Sequence, residues 1–234
     1  METVPLKQTQ VQVRVNEFVR SVYNWMAIGL GITGLVAYYV AHSAFTLNLI
    51  LRNPYLPLFA MIIWFFLGIF INARMHKLQP TTATVLYVIY ASLMGFALST
   101  IFLAYTAASI ASTFFICSAA FIACSIFGWA TKRDLTSFGG FLFMGLIGII
   151  IASLVNIFVA SQAVSTIISY IGVFVFLGLT AYHTQHLKAM ALSQPDGLDA
   201  GVMRKGAILG ALSLYVTFIN LFLFLLHIFG GARE

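Results

Sequence analysis

Apolar residues in this chain fall in long runs separated by short polar breaks, and the length of those runs predicts the architecture. A helix needs about 20 predominantly apolar residues to cross the hydrocarbon core of a bilayer. Seven stretches reach that length, at about 25–43, 55–73, 83–104, 109–129, 138–160, 164–183 and 207–229. Neither charge nor proline marks the break at Tyr105-Thr106-Ala107-Ala108 or the one at Ala160-Ser161-Gln162-Ala163. Length decides both, because a joined run would be about twice what a single crossing takes. The pattern therefore predicts an all-α integral membrane protein, with seven transmembrane helices in one domain over residues 25–230.

Ahead of the first span, Val15, Phe18, Val19 and Val22 recur at helical spacing opposite Arg14, Glu17 and Arg20. Residues 1–24 are read as a cytoplasmic amphipathic segment lying in the membrane interface and running into span 1. The same mostly polar stretch predicts no cleavable signal peptide, and neither terminus carries a lipidation signal. The longest connection, 184–206, holds the turn-forming run Ser193-Gln194-Pro195-Asp196-Gly197 and is read as a mobile cytoplasmic loop.

Composition agrees with the spans. Hydrophobic residues make up 61% of the 234 and charged residues 8%, against about 25% charged in an ordinary soluble domain. A soluble enzyme could not cover its surface with so little charge, and a disordered chain needs the opposite balance. The net charge of +6 sits in short connections rather than on one face, which favours membrane anchoring over nucleic acid. Of the 12 Lys and Arg, ten fall in the N-terminal segment and the 2–3, 4–5 and 6–7 connections, including Arg74, Lys77, Lys132 and Arg133. Arg52 and Arg233 alone fall on the other side. The positive-inside rule then puts the N terminus in the cytoplasm and the C terminus outside. Cys117 and Cys124 stand seven apart on one predicted helix, about 10 Å along its axis, too far for a disulfide.

The chemistry is defined first by an absence. The acidic residues Glu2, Glu17, Asp134, Asp196, Asp199 and Glu234 all lie in termini or connections, so no predicted span carries a carboxylate. Ionisable groups at membrane depth are costly and functional, and a calcium cage needs several anionic oxygens. The polar residues in or near the spans are Asn72, Asn156, Asn220, His183, Thr217 and His227. Thr217 and Asn220, three apart, face one side of span 7, where interhelical hydrogen bonding competes with a pore-lining role. His183 and His186 form an H-x-x-H pair, short of the three protein ligands zinc usually takes. No membrane-depth acid could orient a catalytic histidine, and H-E-x-x-H and G-x-S-x-G are absent. No enzyme activity, metal or cofactor is expected. Gly206 and Gly210, followed by Ala211, give span 7 a small-residue face that lets helices approach closely.

Several motifs together resemble the bacterial branch of the Bax inhibitor-1 family. They are Tyr105-Thr106-Ala107-Ala108-Ser109-Ile110 and Thr131-Lys132-Arg133-Asp134-Leu135, Tyr170-Ile171-Gly172-Val173, and Gly178-Leu179-Thr180-Ala181-Tyr182. Leu212-Ser213-Leu214-Tyr215 through Phe218-Ile219-Asn220-Leu221-Phe222 completes the set, and the likeness covers nearly the whole chain. The resemblance implies a fold in which the last helix is central, and a pH-sensitive calcium leak with a role in stress or cell-death pathways. Some bacterial relatives instead interact with a membrane-anchored AAA protease.

The resemblance also implies a proton-sensing aspartate pair, one after the Ala-Tyr of span 6 and one before the Phe-Ile-Asn of span 7. Here those positions hold His183 and Thr217. Neighbouring carboxylates can share a proton because both cannot easily ionise; a histidine and a threonine cannot. Three readings follow: a degenerate site in a protein that acts by interaction, sensing taken over by His183 with Thr217 or Asn220 as partner, or conduction without the pair. The expected partners are the lipid bilayer, calcium or other cations, and a membrane protease, in a bacterial inner membrane, with the oligomeric state open.

Overall fold

The protein's structure, a computed structural model, describes residues 3–193 and 199–231. Among them there are nine α-helices and no strand. These are α1 Thr3–His42, α2 Ala44–Arg52, α3 Leu56–Arg74, α4 Pro80–Leu98, α5 Ile101–Ala104, α6 Ala107–Ala130, α7 Thr136–Val159, α8 Gln162–Leu192 and α9 Ala200–Phe229, with one 3-10 turn at Met75–Lys77. Seven helical stretches are long and apolar enough to cross a membrane, as the hydrophobic runs predict.

The two unmarked breaks have local causes. At the start of α6, Thr106 adopts extended backbone and its hydroxyl accepts the Ser109 amide at 3.2 Å, a side-chain N-cap. At the end of α7, Ala160 takes a left-handed conformation (φ 51°) and donates to the Asn156 carbonyl at 2.8 Å. The Asn156 side chain then accepts the Ser161 amide at 3.2 Å, so one asparagine satisfies the turn that a glycine usually makes.

Two sequence expectations change. α1 runs without interruption from Thr3, and Val15, Phe18, Val19 and Val22 are buried inside the protein instead of lying in the membrane interface. Their stripe continues into Met26, also buried, so one face of one helix serves throughout. The stretch 184–206 is mostly helical, because α8 continues through Leu192 and α9 begins at Ala200. Residues 194–198, with most of the turn-forming run, lie outside the described residues.

The chain packs as two compact units, and α9 contributes its first half to one and its second half to the other. One unit takes residues up to Ala104 with Ala191–Tyr215. In it α1 packs along α4, where the Tyr87 hydroxyl crosses to donate to the Trp25 carbonyl at 2.8 Å. Thr33 donates to the Ala91 carbonyl at 2.9 Å and pairs with the Tyr215 hydroxyl at 2.7 Å. Thr33 has one proton, so Tyr215 is the donor in the second bond. In this way α1, α4 and the first half of α9 are tied through polar atoms that lipid could not satisfy.

The other unit takes Tyr105–Met190 with residues 216–231. Its α6 and α8 touch through backbone, for a Cβ at Gly128 would run into the Ala181 carbonyl. Small residues of this kind allow the contact that drives helix association in membranes. Phe114 and Phe121 meet Phe218 of α9 edge-on, at 5.6 and 5.3 Å between centroids.

α9 is the most buried span, with 67% of its most apolar stretch inside the protein against 11% for α3 and for α7. α3 and α7 instead turn large side chains outward, Phe158 being 89% exposed, as lipid-facing helices do.

Two stability predictions follow from these contacts. Gly128→Ala should destabilise the protein by about 1–3 kcal/mol through overpacking, while Gly148→Ala, which opens into free space, should be neutral or slightly stabilising by helix propensity. Tyr215→Phe should cost about 1 kcal/mol by removing its bond to Thr33. Thermal unfolding of the purified variants in detergent checks both.

Candidate functional site

His183 lies on α8, and Thr217 and Asn220 lie one turn apart on α9, all within the second unit. The His183 ring is half-buried among aromatic carbon, 5.4 Å from Tyr182 and 6.3 Å from Phe143, the latter edge-on. Thr217 is buried at 3% exposure. Asn220 is half-buried and donates its side-chain amide to the Val216 carbonyl of its own helix at 2.8 Å. Among the described residues no hydrogen bond joins His183 to Asn220.

The H-x-x-H pair is divided by a tyrosine. His186 stacks on Tyr182 at 6.0 Å and 14°, while His183 leans on the same ring from its own position. Among the described residues no group of three or more His, Cys, Asp or Glu comes together. Cys117 and Cys124 are free thiols, and the Cys117 sulfur points at the Phe218 carbonyl at 3.8 Å.

The small-residue face of α9 is in place, with Gly210 buried, Gly206 half-buried, and Ala207 and Ala211 at 1% and 0% exposure. The basic residues Arg74, Lys77, Lys132 and Arg133 are all exposed, Arg74 at the end of α3, Lys77 at the end of the 3-10 turn, and Lys132 and Arg133 in the α6–α7 connection. Asp134 lies beside them; hydrogen bonds from Thr136 hold its carboxyl below the usual aspartate range. Its bond to the Thr136 amide, 2.9 Å, therefore persists above the ordinary aspartate pKa of about 3.9 and is lost on acidification through the lower folded value.

Two polar features escape periodicity altogether. In the first unit, Tyr87, Tyr90 and Tyr215 gather around Thr33, with Tyr215 5.8 Å from Tyr90 and 6.3 Å from Tyr87, and Trp64 stacks on Tyr90 at 4.9 Å. The signal available in the sequence is Tyr87-x-x-Tyr90 in an otherwise apolar run. In the second unit, a cavity of about 340 Å³ opens beside Asn156, Ser165 and His227, where the His227 ring and the Ser165 hydroxyl meet at 3.1 Å. Serines at 153, 165 and 169 on two neighbouring spans are the trace of it in the sequence.

Comparison with known proteins agrees with this architecture. The family described as "Inhibitor of apoptosis-promoting Bax1" matches residues 15–234. The chain is 47% identical to the inner membrane protein YbhL of Escherichia coli K12, over the full length of both. It is 41% identical to a Caulobacter vibrioides protein over 96% of this chain and 92% of that one. A Borreliella burgdorferi protein shares 38% identity over 99% of each. A match that begins at Val15, a buried residue of α1, and runs through all seven spans places the chain in the Bax inhibitor-1 family.

Proposed function

We propose that this chain is a passive cation-leak protein of a bacterial inner membrane whose conduction no longer answers to a carboxylate proton switch. Its N terminus faces the cytoplasm and its C terminus the outside, following the ten-to-two bias of basic residues. The inner membrane is the location named for the E. coli relative. The calcium leak is what the family likeness implies.

The observation that carries the reading is the pair of residues at the family's sensor positions. His183 and Thr217 stand where two aspartates are expected, and no carboxylate occurs between Glu17 and Asp134 or between Asp134 and Asp196. Acid neutralises a carboxylate pair, whereas it can only add positive charge to an imidazole. Protonation adds positive charge in both cases, but it leaves a carboxylate neutral and an imidazole cationic, so only the carboxylate pair holds a cation by charge before acid releases it.

A second reading has an observation of its own. α9 is two-thirds buried, and the Asn220 amide is spent on its own helix, which favours a non-conducting regulatory protein acting through a membrane partner such as an anchored AAA protease. Neither reading calls for catalysis or a cofactor.

Calcium flux into proteoliposomes between about pH 6 and 8, the range of an unperturbed imidazole, separates the two. The leak reading expects wild type to lack a rise in flux on acidification, and His183→Asp/Thr217→Asp to acquire one. Silence in both proteins overturns it and favours the interaction reading.

A further inference from the structure

The connection between α6 and α7, with its run of Thr131, Lys132, Arg133 and Asp134, is held in place to an extent that anchoring alone does not require. Gln185 of α8 clamps it from both sides, donating to the Arg133 carbonyl at 2.7 Å and accepting the Leu135 amide at 2.8 Å. The Arg133 amide bonds the Thr131 hydroxyl at 3.2 Å, and the Thr136 amide bonds Asp134 at 2.9 Å. One turn further along α8, Lys188 donates to the Trp129 carbonyl at 2.9 Å and lies 4.9 Å over the Trp129 ring.

This fixed loop bounds a cavity of about 270 Å³. Its far wall is the stacked pair Tyr182 and His186. That wall can stand where it does because residue 139 is glycine: a Cβ there would enter the Tyr182 ring. Lys132 and Arg133 line the cavity, are exposed, and have no ion pair among the described residues. Asp134 is the one carboxylate in the lining. The ligand's charge follows from this balance. Two cations against one carboxylate leave the site one positive charge, which a singly charged anion neutralises and a polyanion does not.

We propose that this cavity binds a phosphodiester, held by Lys132 and the guanidinium fork of Arg133, with Tyr182 and His186 closing the far side. A fork matches phosphate oxygens in two bonds and an ammonium adds a point charge. Because the Thr136 amide is already occupied by Asp134, the side chains and not the helix end hold the anion. Trp129 closes α6 next to the loop, and tryptophan at a span end marks headgroup depth. The natural source of a phosphodiester at that depth is an anionic phospholipid headgroup, and basic pockets between spans take such headgroups.

Native mass spectrometry of the purified full chain tests this, with phosphatidylglycerol, phosphatidylcholine and inorganic phosphate as probes. One phosphatidylglycerol should be retained in preference to phosphatidylcholine. Lys132→Gln/Arg133→Gln should weaken it by about thirtyfold, at about fivefold per charge. Arg74→Gln/Lys77→Gln, which removes two exposed basic residues elsewhere, should leave it unchanged. Binding of inorganic phosphate alone, with the same dependence on Lys132 and Arg133, would support the site but assign it a soluble phosphate. Equal losses in the two double variants, or no preference for the anionic lipid, would overturn the proposal. Unchanged melting temperatures of both variants confirm that each is folded.

Discussion

Lipid offers no hydrogen bonds, so each helix of this chain has to end where something else can satisfy its first amides and last carbonyls. Several polar residues of the second unit serve those ends. Thr106 caps the start of α6, Lys188 and Thr131 close its other end, and Asn156 alone turns the chain from α7 into α8. With their ends satisfied, the helices can be apolar along their length and meet through small residues, as at Gly128. The same constraint shapes the first unit, where Thr33 and Tyr215 satisfy each other between helices rather than at an end.

The constraint also explains the chemistry left at the middle of the membrane. From Gly206 to Phe229, α9, the most buried span, carries hydroxyls, one amide and His227 but no Lys, Arg, Asp or Glu. Thr217 is buried and Asn220 returns its amide to Val216, so neither leaves a bare polar group in an apolar setting. His183 can be accommodated because aromatic rings surround it and the imidazole need not be charged. A pair of aspartates in the same place would have to share a proton or bind a cation.

Much of this is legible from residue order because lipid imposes long, continuous signals. The seven spans follow from run length, and the weak break before α6 is readable once Thr106 is recognised as a cap. The break after α7 is harder, for nothing in the sequence says that Ala160 will take a left-handed conformation with Asn156 as support. The stripe from Val15 to Val22 has a legible face but an illegible partner: amphipathic spacing is the same whether the face meets headgroups or protein. The stretch 184–206 reads as loop because its ends are polar, yet helix continues wherever backbone bonds can, even outside the apolar run. Contacts between distant segments, such as Thr33 with Tyr215 or Gln185 with the α6–α7 loop, have no local signature at all.

The central claim is that the membrane interior of this protein contains no group that exchanges a carboxyl proton near neutral pH. Infrared difference spectroscopy of the protein in lipid, on acidification from about pH 8 to 6, reads that directly. Unperturbed carboxylates titrate well below this range and an imidazole within it. The account predicts no protonated-carboxyl stretch in wild type, with that stretch appearing in His183→Asp/Thr217→Asp. A protonated-carboxyl band in the wild-type spectrum would contradict it.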